Sequence, residues 1–190
     1  FQHLVRTHLM EREHPGVLTG MPVTDLRVTL LDGLYHLKHT EGGDFREATC
    51  RAIRQGLMSG QSVLLEPWYQ FEIRVEPSLT GRILIDLQQM GGQCDPPRME
   101  GLERILTGQV PAAGMMDYPA QFLSLTRGQG QLSLQPAGWF PCHNTDEVVA
   151  EIGYQPERDT ANPAGSVFCS HGSGYLVDWR EAPEKMHSQF

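Results

Sequence analysis

Two groups of side chains in this chain have the types that do chemistry. The first is Cys142 and His143 in "PCHN" together with Cys169 and His171 in "FCSHG". Two thiolates and two imidazoles form a ligand set that zinc accepts, because it takes both sulfur and nitrogen. Cys142 and His143 are adjacent and strain to reach one ion together, which leaves Cys142, Cys169 and His171 as the metal alternative. The plainer reading makes them turn and packing residues, and no metal is expected. A nucleophilic Cys169–His171 pair is weaker still, since two residues of one short segment rarely reach the geometry. The second group is "GLYHLKHTEGGDF", Gly33 to Phe45. Tyr35, His36 and His39 bring rings that stack on unpaired bases, and Lys38 brings a point charge for phosphate, a combination that suits structured RNA. An ordinary exposed polar loop is the competing account. Arg127, beside Gly128, offers either a phosphate contact or a cation at a helix C-terminus.

No GxxxxGK[ST], HExxH, GxSxG or strand-borne GxGxxG occurs in the sequence, so no catalytic residues are expected and GTP hydrolysis by this chain alone is excluded. The formal net charge of -8 argues against nonspecific nucleic-acid binding, which needs a basic field over much of the surface. Local basic points are compatible with that charge. Arg supplies thirteen of the fifteen cations, and only Lys38 and Lys185 are lysines. The four cysteines, Cys50, Cys94, Cys142 and Cys169, show no CxxC and read as reduced thiols. No apolar run is long enough to cross a bilayer and the N-terminus lacks signal-peptide features, so a cytoplasmic protein with no membrane partner is expected.

The elements that must position these groups follow from periodicity. Phe1, Leu4, Val5 and Leu9 predict a helix to about Glu13, with His8 on a stripe position where an apolar residue is expected, and His14-Pro15-Gly16 stops it. "VTDLRVTLL", Val23 to Leu31, alternates as a strand, and Asp32-Gly33 turns the chain. Asp44 is the expected N-cap of a helix to about Met58. Glu66-Pro67 reads as a domain hinge. Beyond it, strand 69–75, helix 80–90, strands at 93–100 and 102–110, helix 118–126 and strand 131–136 give β-α-β-β-α-β, the split, ferredoxin-like arrangement. From Gly138 the chain is rich in Pro, Gly and His, with "EVVAEIGYQ" and "GYLVDW" as strand-like pieces of an appendage. The fold class is therefore α+β.

"GVLTGMPVTDLRVTLLDGLYHLKHTEGGDFRE", "VLLEPWYQFEIRVEP", "TGRILIDLQQMGG" and "YPAQFLSLTRGQGQLSL" resemble the C-terminal part of translational GTPases of the elongation factor G type, including the tetracycline-resistance ribosomal protection proteins. The resemblance runs from about Phe1 to Gln135. It implies that residues 1–66 form the later part of a domain IV, that residues 67–138 form a ferredoxin-like domain V, and that 139–190 is a C-terminal extension. The chain is then expected to begin inside domain IV and to be a fragment, with GTP and Mg belonging to a full-length parent and no cofactor to this part.

The same resemblance makes Gly33 to Gly43 the domain IV tip, so that Tyr35, His36, Leu37, Lys38, His39 and Thr40 contact small-subunit rRNA near the decoding site, with Arg127 a further rRNA contact. "VTDLRV", "GLY" and "DFR" lean toward protection proteins, which displace the drug. Tyr35-His36 and "LTRG" lean toward elongation factors, and Leu37-Lys38-His39-Thr40 departs from the protection-protein tip. Three readings stay open: a drug-protection fragment, a translocase fragment, and a zinc-binding tail. Apolar surface left on the Phe1 helix and the Val23 strand also predicts self-association of the fragment or a rearranged half-domain.

Overall fold

Helix α1 spans Gln2–Met10 and α2 spans Gly42–Ser59 in the computed structural model, which describes residues 1–36 and 40–186. The expected helix start moves by three residues. Glu41 is the N-cap, and Asp44 sits in the first turn, where its carboxylate accepts the Glu41 backbone N–H at 2.8 Å and satisfies a donor that the helix leaves over. His8, on the apolar stripe of α1, is buried, with its Nδ1 3.1 Å from Glu11 Oε2. The expected strand over Val23 to Leu31 does not form. No strand among the described residues pairs with it, and without a ladder its alternation leaves Leu26, Val28, Leu30 and Leu31 exposed.

From residue 63 the alternating and helical periods hold. β1 (Leu65–Val75), α3 (Thr80–Gln89), β2 (Gln93–Cys94), β3 (Arg98–Glu100), β4 (Glu103–Pro111), α4 (Tyr118–Leu125) and β5 (Gln131–Pro141) follow in order. The antiparallel sheet runs β2-β4-β1-β5, and β3 also pairs with β4. The expected single strand 93–100 is two pieces because Pro96 and Pro97 have no N–H to give to the ladder, a break that an edge strand tolerates. Ile73 faces Leu106 on one side and Leu132 on the other. Phe71, Ile73 and Val75 bury one sheet face against Ile83 and Leu87 of α3 and Phe122 of α4. Each such side chain contributes about 1.5–3 kcal/mol by leaving water.

Glu66-Pro67 is not a hinge: both residues lie in β1. There Pro67 pairs with Trp139 of β5, while the register with β4 begins only at Trp68, so the missing N–H costs no second ladder bond. β5 likewise runs five residues beyond Pro136, to Pro141.

The last elements are α5 (Thr145–Ile152), the hairpin β6 (Ser166–Ser170) with β7 (Ser173–Val177), and α6 (Ala182–Lys185). "EVVAEI", read as strand-like from its β-branched pair, is helical, with Asp146 and Glu147 in the first turn where they complement the helix dipole. Two compact units result: Phe1–Ser62 with Asp146–Phe190, and Val63–Thr145. No helix among the described residues is long and apolar enough to cross a membrane.

Candidate nucleic-acid interface

The loop that leads into α2 is held at its root by aromatic rings. Tyr35 lies with its ring centroid 4.1 Å from that of Phe1, tilted by 46°, and Phe1 in turn stacks on Phe45, in the first turn of α2, at 4.8 Å and 14°. Such pairs contribute about 0.5–1.5 kcal/mol beyond burial. Tyr35 nevertheless remains 50% exposed, enough to leave an edge of the ring for another partner.

His36 and Thr40 close the loop across its neck. The Thr40 N–H donates to the His36 carbonyl at 2.9 Å, and the His36 N–H donates to Thr40 Oγ1 at 2.8 Å. His36 is exposed on the same stretch as Leu34, and Gly33 is fixed by its N–H donating to Asp32 Oδ1 at 2.7 Å. Leu37, Lys38 and His39 lie outside the described residues. The structure thus gathers Tyr35, His36 and Thr40 at the N-terminus of α2, where the helix dipole is positive. The supporting roles of Phe1 and Phe45 are not legible in sequence, because 44 residues separate them and no period links the two.

The opposite part of α2 holds the tail between Tyr154 and Trp179. Arg51, Arg54 and Gln55 share one helical face by their spacing. Arg51 Nη1 donates to the carbonyls of Pro163 at 3.1 Å and Gly165 at 2.6 Å, and Gln55 Nε2 donates to the Trp179 carbonyl at 2.8 Å. Arg54, only 4% exposed, donates to the carbonyls of Pro15 and Pro156, each at 3.0 Å, and to the Tyr154 hydroxyl at 2.9 Å. The tail from Asp146 is therefore part of the unit that carries the loop before α2.

Arg127 follows α4 with φ +52, and its exposed side chain stands beside Gly128, whose N–H donates to the Leu123 carbonyl at 2.9 Å. It lies in the 63–145 unit, whereas Tyr35 and His36 belong to the other. The residues of the zinc alternative are distributed in the same way: Cys142 falls in the 63–145 unit, and Cys169 and His171 fall in the tail. Cys169 pairs with Gly174 across the β6–β7 hairpin, and His171 with Gly172, both at positive φ, makes its two-residue turn.

Both units have known relatives. Residues 1–61 match the family described as "Elongation factor G, domain IV" and residues 63–148 the family "Elongation factor G C-terminus". These two segments are similar to the C-terminal domains of elongation factor G. An elongation factor G of Rhodopseudomonas palustris (strain BisB18) is 34% identical over 120 residues, covering 63% of this chain and 17% of the relative's own length. A solved crystal structure from Thermus thermophilus is similar with a TM-score of 0.68 at 25% identity, over 80% of this chain and 23% of that one. The two family matches together end at residue 148.

Proposed function

We propose that this chain is a ribosome-binding portion of a translational GTPase in the cytoplasm, and that the loop of Gly33 to Gly43 contacts small-subunit rRNA near the decoding site. The observation that carries the reading is the placement of Tyr35 and His36, exposed on a neck closed by His36 and Thr40, in the segment similar to elongation factor G domain IV. A half-exposed ring already held by Phe1 loses little freedom on stacking against a base, and low ordering cost is what makes a narrow loop bind. Lys38 and His39 bring a point charge and a further ring to the same loop, and Arg127 supplies a second contact. The acidic balance of the chain is compatible with this function, because the parent's other domains provide docking and the tip needs only local complementarity. GTP and Mg act in the parent's nucleotide domain.

Within this reading the tip displaces tetracycline from the ribosome in the manner of the protection proteins. "VTDLRV", "GLY" and "DFR" support that choice. A second reading, a translocase, is favoured by the 34% identity to an elongation factor G. The deciding experiment uses the full-length parent: release of labelled tetracycline from ribosomes with GTP, run beside a tRNA translocation assay. Drug release without translocation supports protection, translocation without release supports the translocase, and neither activity removes both. His36→Ala and Lys38→Ala variants that retain full activity would sink the tip assignment.

A further inference from the structure

Glu66, Cys142 and His143 converge at the end of the sheet where β1 begins and β5 finishes. The adjacency expected to keep Cys142 and His143 from sharing an ion does not do so: one ligand-type atom from each of the three lies within 4.8 Å of the others, the one such group of three among the described residues. We propose that these three side chains form a binding site for a divalent transition-metal ion, zinc foremost. The set joins a hard carboxylate, a borderline imidazole and a soft thiolate, which is the mixture that suits zinc and disfavours magnesium or calcium.

The three residues are held independently of any ion. Cys142 is fixed by its backbone, its N–H donating to the Leu64 carbonyl at 2.8 Å and its carbonyl accepting the Thr145 hydroxyl at 3.0 Å. Glu66 Oε1 accepts the His143 backbone N–H at 2.9 Å and the Trp68 indole N–H at 3.2 Å. The His143 ring lies against the backbone of Gly91, where an added Cβ would stand 2.7 Å from the imidazole Cδ2, so the glycine makes room for the ring. His143 Nδ1 is 2.8 Å from Glu66 Oε1, and a proton must lie between them. A cation takes the place of that proton.

On binding, the Nδ1 proton is relocated to Nε2 through solvent and the Cys142 thiol proton leaves to solvent. Thiolate, carboxylate and neutral imidazole then balance the two positive charges. The adjustment is small: ligand atoms of a tetrahedral zinc site stand roughly 3.3–3.7 Å apart, and these three already lie within 4.8 Å of one another, with Nδ1 and Oε1 needing to separate slightly. With Glu66 and Cys142 partly buried and His143 exposed, the fourth position opens to solvent. The ion would clamp the first turn after β5 to the start of β1.

The test titrates the 190-residue chain with Zn²⁺ against a chromophoric chelator and with Co²⁺ as a spectroscopic probe. One equivalent should bind, and the Co²⁺ form should show a thiolate charge-transfer band. Cys142→Ser should abolish that band, and Cys142→Ser and His143→Gln should each weaken Zn²⁺ binding by more than the roughly 10–100-fold typical of residues that only support a ligand. The double variant Cys169→Ser with His171→Gln should leave both readouts unchanged. Substoichiometric binding, a Co²⁺ spectrum without the thiolate band, or affinity that survives Cys142→Ser would each overturn the site. So would loss of binding in the double variant, which would move the metal to the tail hairpin. Circular dichroism of each variant identifies any that misfolds, and Asn144→Ala, which removes the Sγ partner at 3.4 Å without removing a ligand, should retain binding within a few-fold.

Discussion

Arg54 of α2 and Tyr154 of the tail are joined by a 2.9 Å hydrogen bond, and the Tyr154 hydroxyl donates onward to Asp159 Oδ2 at 2.7 Å. A buried guanidinium is thereby linked, through one phenol, to the carboxylate that organises the following loop. Tyr154 and α2 belong to one compact unit, and this bond joins them across 100 positions of sequence.

Arg54→Ala should be strongly destabilising. It removes three hydrogen bonds made by a charged group and leaves the partly buried Pro15 and Pro156 carbonyls without their donor. A loss of about 2–4 kcal/mol is expected in urea unfolding, because charged hydrogen bonds contribute about 1.5–3 kcal/mol each and the losses overlap. Arg54→Lys should recover only part of it, since an ammonium cannot reach three acceptors with a planar fork. A variant as stable as the parent chain would show that Arg54 does not hold the tail.

Acid should loosen the same loop over a defined window. Asp159 is held down to about 2, by the Asn162 side chain first and the Tyr154 hydroxyl second, with the backbone N–H groups of Ala161 and Asn162 each donating to Oδ1 at 3.0 Å. A carboxylate with a depressed folded pKa stabilises above its ordinary value of 3.8, and that contribution disappears as pH falls toward about 2. Asp159→Asn should therefore lower stability at neutral pH and flatten the pH dependence between about 4 and about 2. Tyr154 fluorescence and circular dichroism across an acid titration report it, and an unchanged acid profile would exclude Asp159 as its source.

Two glycines of the ferredoxin-like unit should respond in opposite directions. At Gly108 a Cβ would fall 2.1 Å from the Gln93 carbonyl oxygen and 2.9 Å from Phe71 Cζ. Gly108→Ala should push β2 off β4, cost about 1–3 kcal/mol or more, and accelerate amide exchange at Cys94. Gly81, inside α3, has nothing within 4 Å of the added carbon. Gly81→Ala should add about 0.5–1 kcal/mol by restricting the unfolded chain. Urea midpoints of the two variants decide it.

Tyr35→Ala in the full-length parent should separate folding from recognition. The lost Phe1 contact lowers stability by about 1 kcal/mol. If the proposed rRNA contact holds, the lost base stack should weaken ribosome binding by about 5- to 150-fold, the equivalent of about 1–3 kcal/mol. Tyr35→Phe should restore binding if the ring face is what matters. Wild-type affinity of the alanine variant would remove Tyr35 from the interface.

The sequence by itself determined the ferredoxin-like unit. Alternation in 69–75 and 131–136, the helical period of 80–90 and the stop at Gly91-Gly92 are local signals, and the sheet order uses them without conflict. The loop before α2 was legible in the same way, from the Gly-rich, acidic start of that helix. Tertiary structure decided the remainder. Val23 to Leu31 carries the pattern of a strand but has no partner among the described residues, and a ladder cannot be read from one strand alone. "EVVAEI" lies in a helix despite its β-branched pair, with Asp146 and Glu147 complementing the dipole in the first turn and a strand preference too weak to decide. Glu66, part of a hinge in the sequence reading, meets Cys142 and His143 only because antiparallel pairing returns β5 to the beginning of β1. Phe1, Tyr35 and Phe45, and Arg54 with Tyr154, likewise meet only after folding. Contacts between residues distant in sequence leave no period or spacing to read, and the supports of both the tip and the candidate metal centre are contacts of that kind.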